Sequence, residues 1–260
     1  MTALEERTGQ FLRGLPFFTG LSETDMSGFL DSAKIREYSK NERLFTQGDK
    51  ADRLFVIISG WVKIYRVTGE GEEAVTALFT RGDVFGEAAI FGGAVYPFSA
   101  EAAEDAHIIE IPSDTLKARA QGNSEIMGRI MQSMSKEIHH LQLEQEHMAL
   151  MSAPQRVGCL LLQLSSGMIG KGGTFTFPFD KSLAAARLGM KPETFSRALK
   201  ELSPLGVAVK GPEIRIESFD CLVGYCCGSC SADSAECKGR REAACCGETG
   251  CPGKKQAVTR

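Results

Sequence analysis

Glu193, Ser196, Arg197 and Lys200 stand at i, i+3, i+4 and i+7, a spacing that places them on one face of an α-helix. Arginine can donate two bonds to guanine, glutamate can accept from cytosine N4, and serine adapts to either. Three of the four side chains therefore suit base edges in a DNA major groove, while Lys200 suits a phosphate. The alternative for such a row is an ordinary amphipathic helix with a solvated charged face. A second group with chemical potential lies at the other end of the chain, where residues 221–260 hold eight of the nine cysteines: Cys221, Cys226, Cys227, Cys230, Cys237, Cys245, Cys246 and Cys251. The close spacing around Cys227-x-x-Cys230 suits thiolate binding of zinc, copper or an iron–sulfur cluster, with Cys226, Cys227, Cys230, Cys237, Cys245, Cys246 and Cys251 as candidate ligands. No C-x-x-C pair repeats, so a thiol redox switch and a functionless extension fit the same composition. The segment is otherwise small and polar and is expected to be disordered by itself.

The elements that must position the first group are legible around it. In DKSLAAARLGMKPETFSRALKEL, Asp180 is a good N-cap, Leu183, Ala184 and Leu188 give a first helix its apolar face, and Gly189 tolerates positive φ at a corner. Pro192 then opens a second helix whose Phe195, Ala198, Leu199 and Leu202 recur at helical spacing and form its core face. VAVKGPEIRI follows as a hairpin with Lys210 at its tip, where the lysine contacts either a phosphate or only solvent. A Gly corner, a Pro-started helix and a hairpin together describe a winged helix-turn-helix.

Upstream, residues 11–34 read as one or two short helices with Ser22 as N-cap. From Ile35 to Ile111 the pattern changes to short alternating or apolar runs, LFVIIS, WVKIYRV, AVTALF, VFGEAAIF and AHIIEI, separated by glycine turns. That spacing predicts a β-roll of about eight strands. Between Asn123 and Met151, the residues Met127, Met131, Met134, Ile138, Leu141, Gln145 and Met148 alternate steps of four and three, the seam of a coiled coil between two copies of the chain. Ile126 and Ile130 widen the stripe, so part of the helix also suits burial against its own roll. Ser152-Ala153-Pro154 marks a hinge and restarts a helix in which Cys159 reads as a small core residue.

These stretches resemble the Crp/Fnr superfamily of bacterial transcription regulators over residues 11 to about 220. GMKPETFSRALKEL is similar to its recognition helix, with the E-x-x-S-R pattern of the Fnr and Dnr-like (nitric-oxide-responsive) branches at Glu193, Ser196 and Arg197. The resemblance implies a TTGAT-type half-site, the Glu and Arg on its G·C pair, Lys181 at a phosphate-contacting position, Thr194 within the same surface, a homodimer on inverted half-sites of double-stranded DNA, and RNA polymerase as a partner. QGDKADRLFVIISGWVKIYR and RGDVFGEAAIF are similar to the family's sensor roll. In the family's cyclic-nucleotide pocket, Gly86, Glu87 and Ser99 match the ribose- and phosphate-binding pattern, but Phe98 stands at the arginine position, after a one-residue insertion; Leu141 and Gln142 match the effector-facing pair of the long helix. No Lys or Arg occurs between Arg81 and Lys117, so a buried phosphodiester would meet Glu87 without a charge partner, at a cost of several kcal/mol. Cyclic AMP is therefore not the expected ligand. AAIFGGAVYPFSA instead suits a small or planar uncharged effector, such as haem carrying a diatomic gas, for which His107, His139, His140 and His147 are the available histidines. No cysteine precedes Cys159, so an N-terminal iron–sulfur cluster of the Fnr type is not expected.

The expectation is thus an α+β chain: a β-roll (jelly-roll) sensor over 1–122, a dimerisation helix over 123–151, a winged helix-turn-helix over 152–220 and a cysteine-rich tail over 221–260. From Ser152 to Ile216, nine Lys or Arg oppose four Asp or Glu, a net of +5 in a chain of net charge −3, as phosphate contact requires. No apolar run approaches the ~18 residues of a membrane span and no basic start precedes an apolar core, so the cytoplasm is expected. Two other classes compete. A cupin-like metalloenzyme needs about three His or carboxylate ligands in the roll, where His107 is the single histidine. A small-molecule regulatory module without DNA binding leaves the basic region unexplained.

Overall fold

The computed structural model describes residues 3–67, 69–71, 73–165 and 172–226. The architecture is α+β, and the chain divides into two units, Met1–His139 and His140–Arg260.

In the first unit, α1 (Ala3–Arg13) and α2 (Glu23–Ser32) precede eight strands: β1 (Lys34–Tyr38), β2 (Arg43–Phe45), β3 (Arg53–Ser59), β4 (Val62–Val67), β5 (Glu73–Phe79), β6 (Val84–Phe85), β7 (Ser99–Ala102) and β8 (Ala106–Pro112). They form two antiparallel four-stranded sheets, ordered β1-β8-β3-β6 and β2-β7-β4-β5. Strand β3 reads as a continuous apolar run because both its faces are covered. Phe55 and Ile57, opposite Glu110 and Ile108, share the roll's interior with Phe45, Phe85 and Tyr96. Leu54, Val56, Ile109 and Ile111 point the other way, and α2 and α4 (Ser113–Ala120) cover that side. The β3–β4 turn needs Gly60: its φ is 90°, and a Cβ there would lie 2.6 Å from the Asp105 carbonyl.

One expected strand is replaced. VFGEAAIF pairs only at Val84–Phe85; Gly86 then turns to φ 105° and Glu87 opens α3 (Glu87–Gly92), an acidic residue at the positive end of a short helix.

The long helix α5 (Ser124–Leu150) has two different faces. Ile126, Ile130, Ser133, Glu137, His140 and Glu144 are buried or half-buried, whereas Met127, Met131, Ile138, Leu141, Gln145 and Met148 are exposed, Met131 by 64%. Met134 packs against the roll's core, so the seam stripe is shared at that point.

In the second unit, α6 (Ala153–Leu164) starts from a capping box of Ser152 and Gln155 and is buried along most of its length by two helices packed against it. These are α8 (Pro192–Glu201) and α9 (Phe219–Cys226). The unit also holds α7 (Lys181–Arg187) and an antiparallel sheet ordered β10-β11-β9, with β9 (Gly173–Thr176), β10 (Val207–Lys210) and β11 (Glu213–Ile216). Helix α9 corrects the expectation of an unstructured tail from Cys221. Phe219, Leu222 and Cys226 are buried, and a Cβ added at Gly158 would sit 2.3 Å from the Cys226 Sγ. Cys226, counted among the candidate metal ligands, is thus core, where a thiol behaves as a small hydrophobe. Cys227, Cys230, Cys237, Cys245, Cys246 and Cys251 lie outside the described residues.

Candidate nucleic-acid interface and sensor pocket

Helix α7 ends at a corner where Gly189 takes φ 60°, and Pro192 occupies the first turn of α8. Asp180 has the extended backbone of an N-cap, but its side chain makes no capping bond to α7. Phe195, Ala198, Leu199 and Leu202 are buried, with the Phe177 ring edge-on to Phe179 (5.1 Å) and tilted against Phe195 (6.3 Å). The face opposite carries Glu193, Ser196, Arg197 and Lys200, all exposed, beside a half-buried Thr194. Lys181, at the start of α7, and Lys210, at the β10–β11 turn, are also exposed. A row of donors and acceptors is therefore presented on a helix whose other side is anchored, the geometry a major-groove reader needs.

Two basic residues of the same region turn inward, and the charge count alone could not have distinguished them. Arg156 of α6 donates from Nη1 to the Leu188 carbonyl at 2.8 Å, while its Nε is buried without a hydrogen-bond partner. Arg187 of α7 pairs with Glu144 of α5, whose Oε1 also meets the His140 Nε2 at 3.0 Å.

In the first unit, Gly86 is the positive-φ N-cap of α3 and Glu87 is buried directly after it. The Ser133 hydroxyl of α5 donates to the Glu87 carboxylate at 2.7 Å. Burial pushes the Glu87 carboxyl above its usual range and Glu137 adds to the rise; the Ser133 hydroxyl and a backbone N–H oppose it, and among the described residues no cation does. Ser99 is buried with its hydroxyl accepting from the Gln47 N–H at 3.0 Å, and Phe98 lies half-buried with its ring 6.1 Å from that of Phe45. Leu141 and Gln142 are exposed on α5. The α5 residue that meets Glu87 is Ser133, which its step of three from Ile130 could have marked.

The residues of the roll do not fit a haem ligated from inside. Aromatic rings occupy the interior, Phe45 stacked on Tyr96 at 3.7 Å and Phe55 on Phe85 at 5.1 Å. His107 faces the other way, its Nδ1 3.1 Å from the Ser59 hydroxyl and its Nε2 3.3 Å from Glu37, with half its side chain in solvent. Among the described residues, no group of three or more His, Cys, Asp or Glu is placed to hold a metal ion. None of their helices is long and apolar enough to cross a membrane.

Two family profiles match the chain, Cyclic nucleotide-binding domain over residues 35–123 and Crp-like helix-turn-helix domain over residues 155–224. The fumarate and nitrate reduction regulatory protein of Escherichia coli K12 is 31% identical across 80% of this chain and 84% of its own length. The chain belongs to the Crp/Fnr family of transcription regulators. Another relative of this Crp/Fnr protein, the transcriptional activator FnrA of Stutzerimonas stutzeri, is 30% identical over 79% of this chain and 86% of its own. Among solved structures, a Ruegeria pomeroyi DSS-3 protein described as cyclic nucleotide-binding is 36% identical with a TM-score of 0.66, covering 86% of this chain and 99% of that one. FixK2 of Bradyrhizobium japonicum shares the fold at 22% identity and a TM-score of 0.68, over 74% of this chain and 96% of its own. The helix-turn-helix of this Crp/Fnr regulator is accordingly a DNA-binding element.

Proposed function

We propose that this regulator binds TTGAT-like inverted half-sites as a homodimer in the cytoplasm, engages RNA polymerase there, and is controlled at its roll by nitric oxide or a related redox signal rather than by cyclic AMP. The observation that carries the reading is the exposed row of Glu193, Ser196 and Arg197 on a helix whose opposite face is buried. Dimerisation is supported by the bare methionine-rich face of α5, an apolar stripe at coiled-coil spacing. A charged nucleotide is disfavoured by Glu87, already buried and with no cation near it among the described residues, and by Phe98, which stands at the arginine position and packs into the aromatic interior. The choice of nitric oxide rests on the likeness of the α8 pattern to the Dnr-like branch. The cysteines from Cys227 onward are the candidate ligands for a soft metal.

The test is duplex binding with paired TTGAT elements against a scrambled duplex. Arg197→Ala should erase most of the preference, a loss of about 1–3 kcal/mol at one base pair, or roughly five- to 150-fold. Lys210→Ala should weaken both duplexes alike. If both variants lower affinity evenly, the assignment of contacts is wrong.

A further inference from the structure

The corner between α7 and α8 is closed by backbone bonds from Leu188, Gly189 and Met190 to the last turn of α7, and its outer side is open: an added Cβ at Gly189 would meet no atom within 4 Å. Two residues just before Gly189 add ties to other helices. Leu188 is tied through its carbonyl to Arg156 of α6 at 2.8 Å. Arg187 is tied through its guanidinium to Glu144 of α5, and only 16% of the Arg187 side chain and 21% of the Glu144 side chain reach solvent. An arginine turned inward to this degree is not presented to a phosphate. Glu144 lies on the half-buried edge of α5, next to the exposed stripe of Leu141, Gln145 and Met148, and its Oε1 is shared with His140 one turn earlier.

We propose that Glu144 is a positioning residue for DNA recognition, which acts through Arg187 to hold the α7–α8 corner to the long helix. The pair is charge-assisted and largely out of water, so it resists being shared with solvent better than a surface bridge does. Because Glu144 borders the apolar stripe, whatever packs on that stripe bears on the corner as well. This inference rests on the DNA-reading function proposed above.

The experiment measures selectivity, the ratio of affinities for the TTGAT-paired and scrambled duplexes, on the full-length protein. Glu144→Gln keeps the side chain's size and removes its charge; the selectivity ratio should fall on the order of tenfold, the scale of one charge-assisted bond, while the melting temperature changes little. Glu144→Arg and Arg187→Glu should each lose selectivity, and the charge-swapped double variant should recover a substantial part of it. A purely structural role would lower the melting temperature and leave the ratio untouched in whatever fraction stays folded, which would overturn the proposal. So would a double variant no better than the singles. Wild-type protein without any preference for the paired site would overturn the DNA-reading function itself, and the inference with it; wild-type preference retained by Glu144→Gln would overturn the inference alone.

Discussion

Gly158→Ala puts the placement of helix α9 to a quantitative test. The new Cβ would lie 2.3 Å from the Cys226 Sγ and 3.1 Å from the Leu222 Cδ1, against a comfortable separation of about 3.5–4.0 Å. Both neighbours are fully buried, so the thiol has little space to swing into and α9 must withdraw by more than an ångström. Overpacking of this kind costs about 1–3 kcal/mol; the better helix propensity of alanine returns about 1 kcal/mol, which leaves a net loss of up to about 2 kcal/mol. For a domain of this size that is a fall of up to roughly 15 °C in melting temperature. Cys226→Ala removes the clashing atom, and its own cost is on the order of 1 kcal/mol for a small void. The double variant should be more stable than the sum of the two losses allows, because the alanine methyl occupies part of the space the sulfur left. Thermal unfolding by circular dichroism on the four proteins decides it. Strict additivity, or a Gly158→Ala protein stabilised by propensity alone, would mean that Cys226 does not rest on Gly158 and would restore it as a candidate ligand.

Two further outcomes follow from the described groups. The carboxyl of Glu87 is held above its usual range by burial, so its stabilising contribution is fully present below the unfolded value of about 4.3 and is lost as pH rises through the folded value; Glu87→Gln should therefore gain melting temperature on wild type more at pH 8 than at pH 5, and an equal change at both would refute the assignment. A chain ending at Cys226 should melt like the full-length protein while losing any bound zinc, copper or iron, whereas one ending at Ser218 should be severely destabilised, since burying each of Phe219 and Leu222 contributes about 1.5–3 kcal/mol; metal retained by the chain ending at Cys226 would end the tail-ligand reading.

The helix-turn-helix was legible because its signals are local: Gly189 at positive φ, Pro192 in a first turn and the step from Phe195 to Leu202 all act within one or two turns of chain. The roll was legible for a similar reason, its strands being separated by glycine turns. What escaped depended on distant partners. The run VFGEAAIF fits a strand or a buried helix equally well by periodicity, and only the turn at Gly86 separates them. Helix α9 hid because its cysteines read as chemistry, although Cys226 serves as packing. The direction of His107 depends on the register of β8 against β1 and β3, which a single sequence does not set. Arg156 and Arg187 are not told from outward charge by the sequence, because their acceptors, the Leu188 carbonyl and the Glu144 carboxylate, are distant in the chain.

Helix α5 joins its two faces in one rod of 27 residues, about 40 Å long. Side-chain tips stand roughly 5 Å from such an axis, so a roll of about 20° sweeps each of them by nearly 2 Å, further than a hydrogen bond stretches. Within the first unit, whatever packs on Met127 and Met131 therefore bears on the bond from Ser133 to Glu87 on the other face of the same turns.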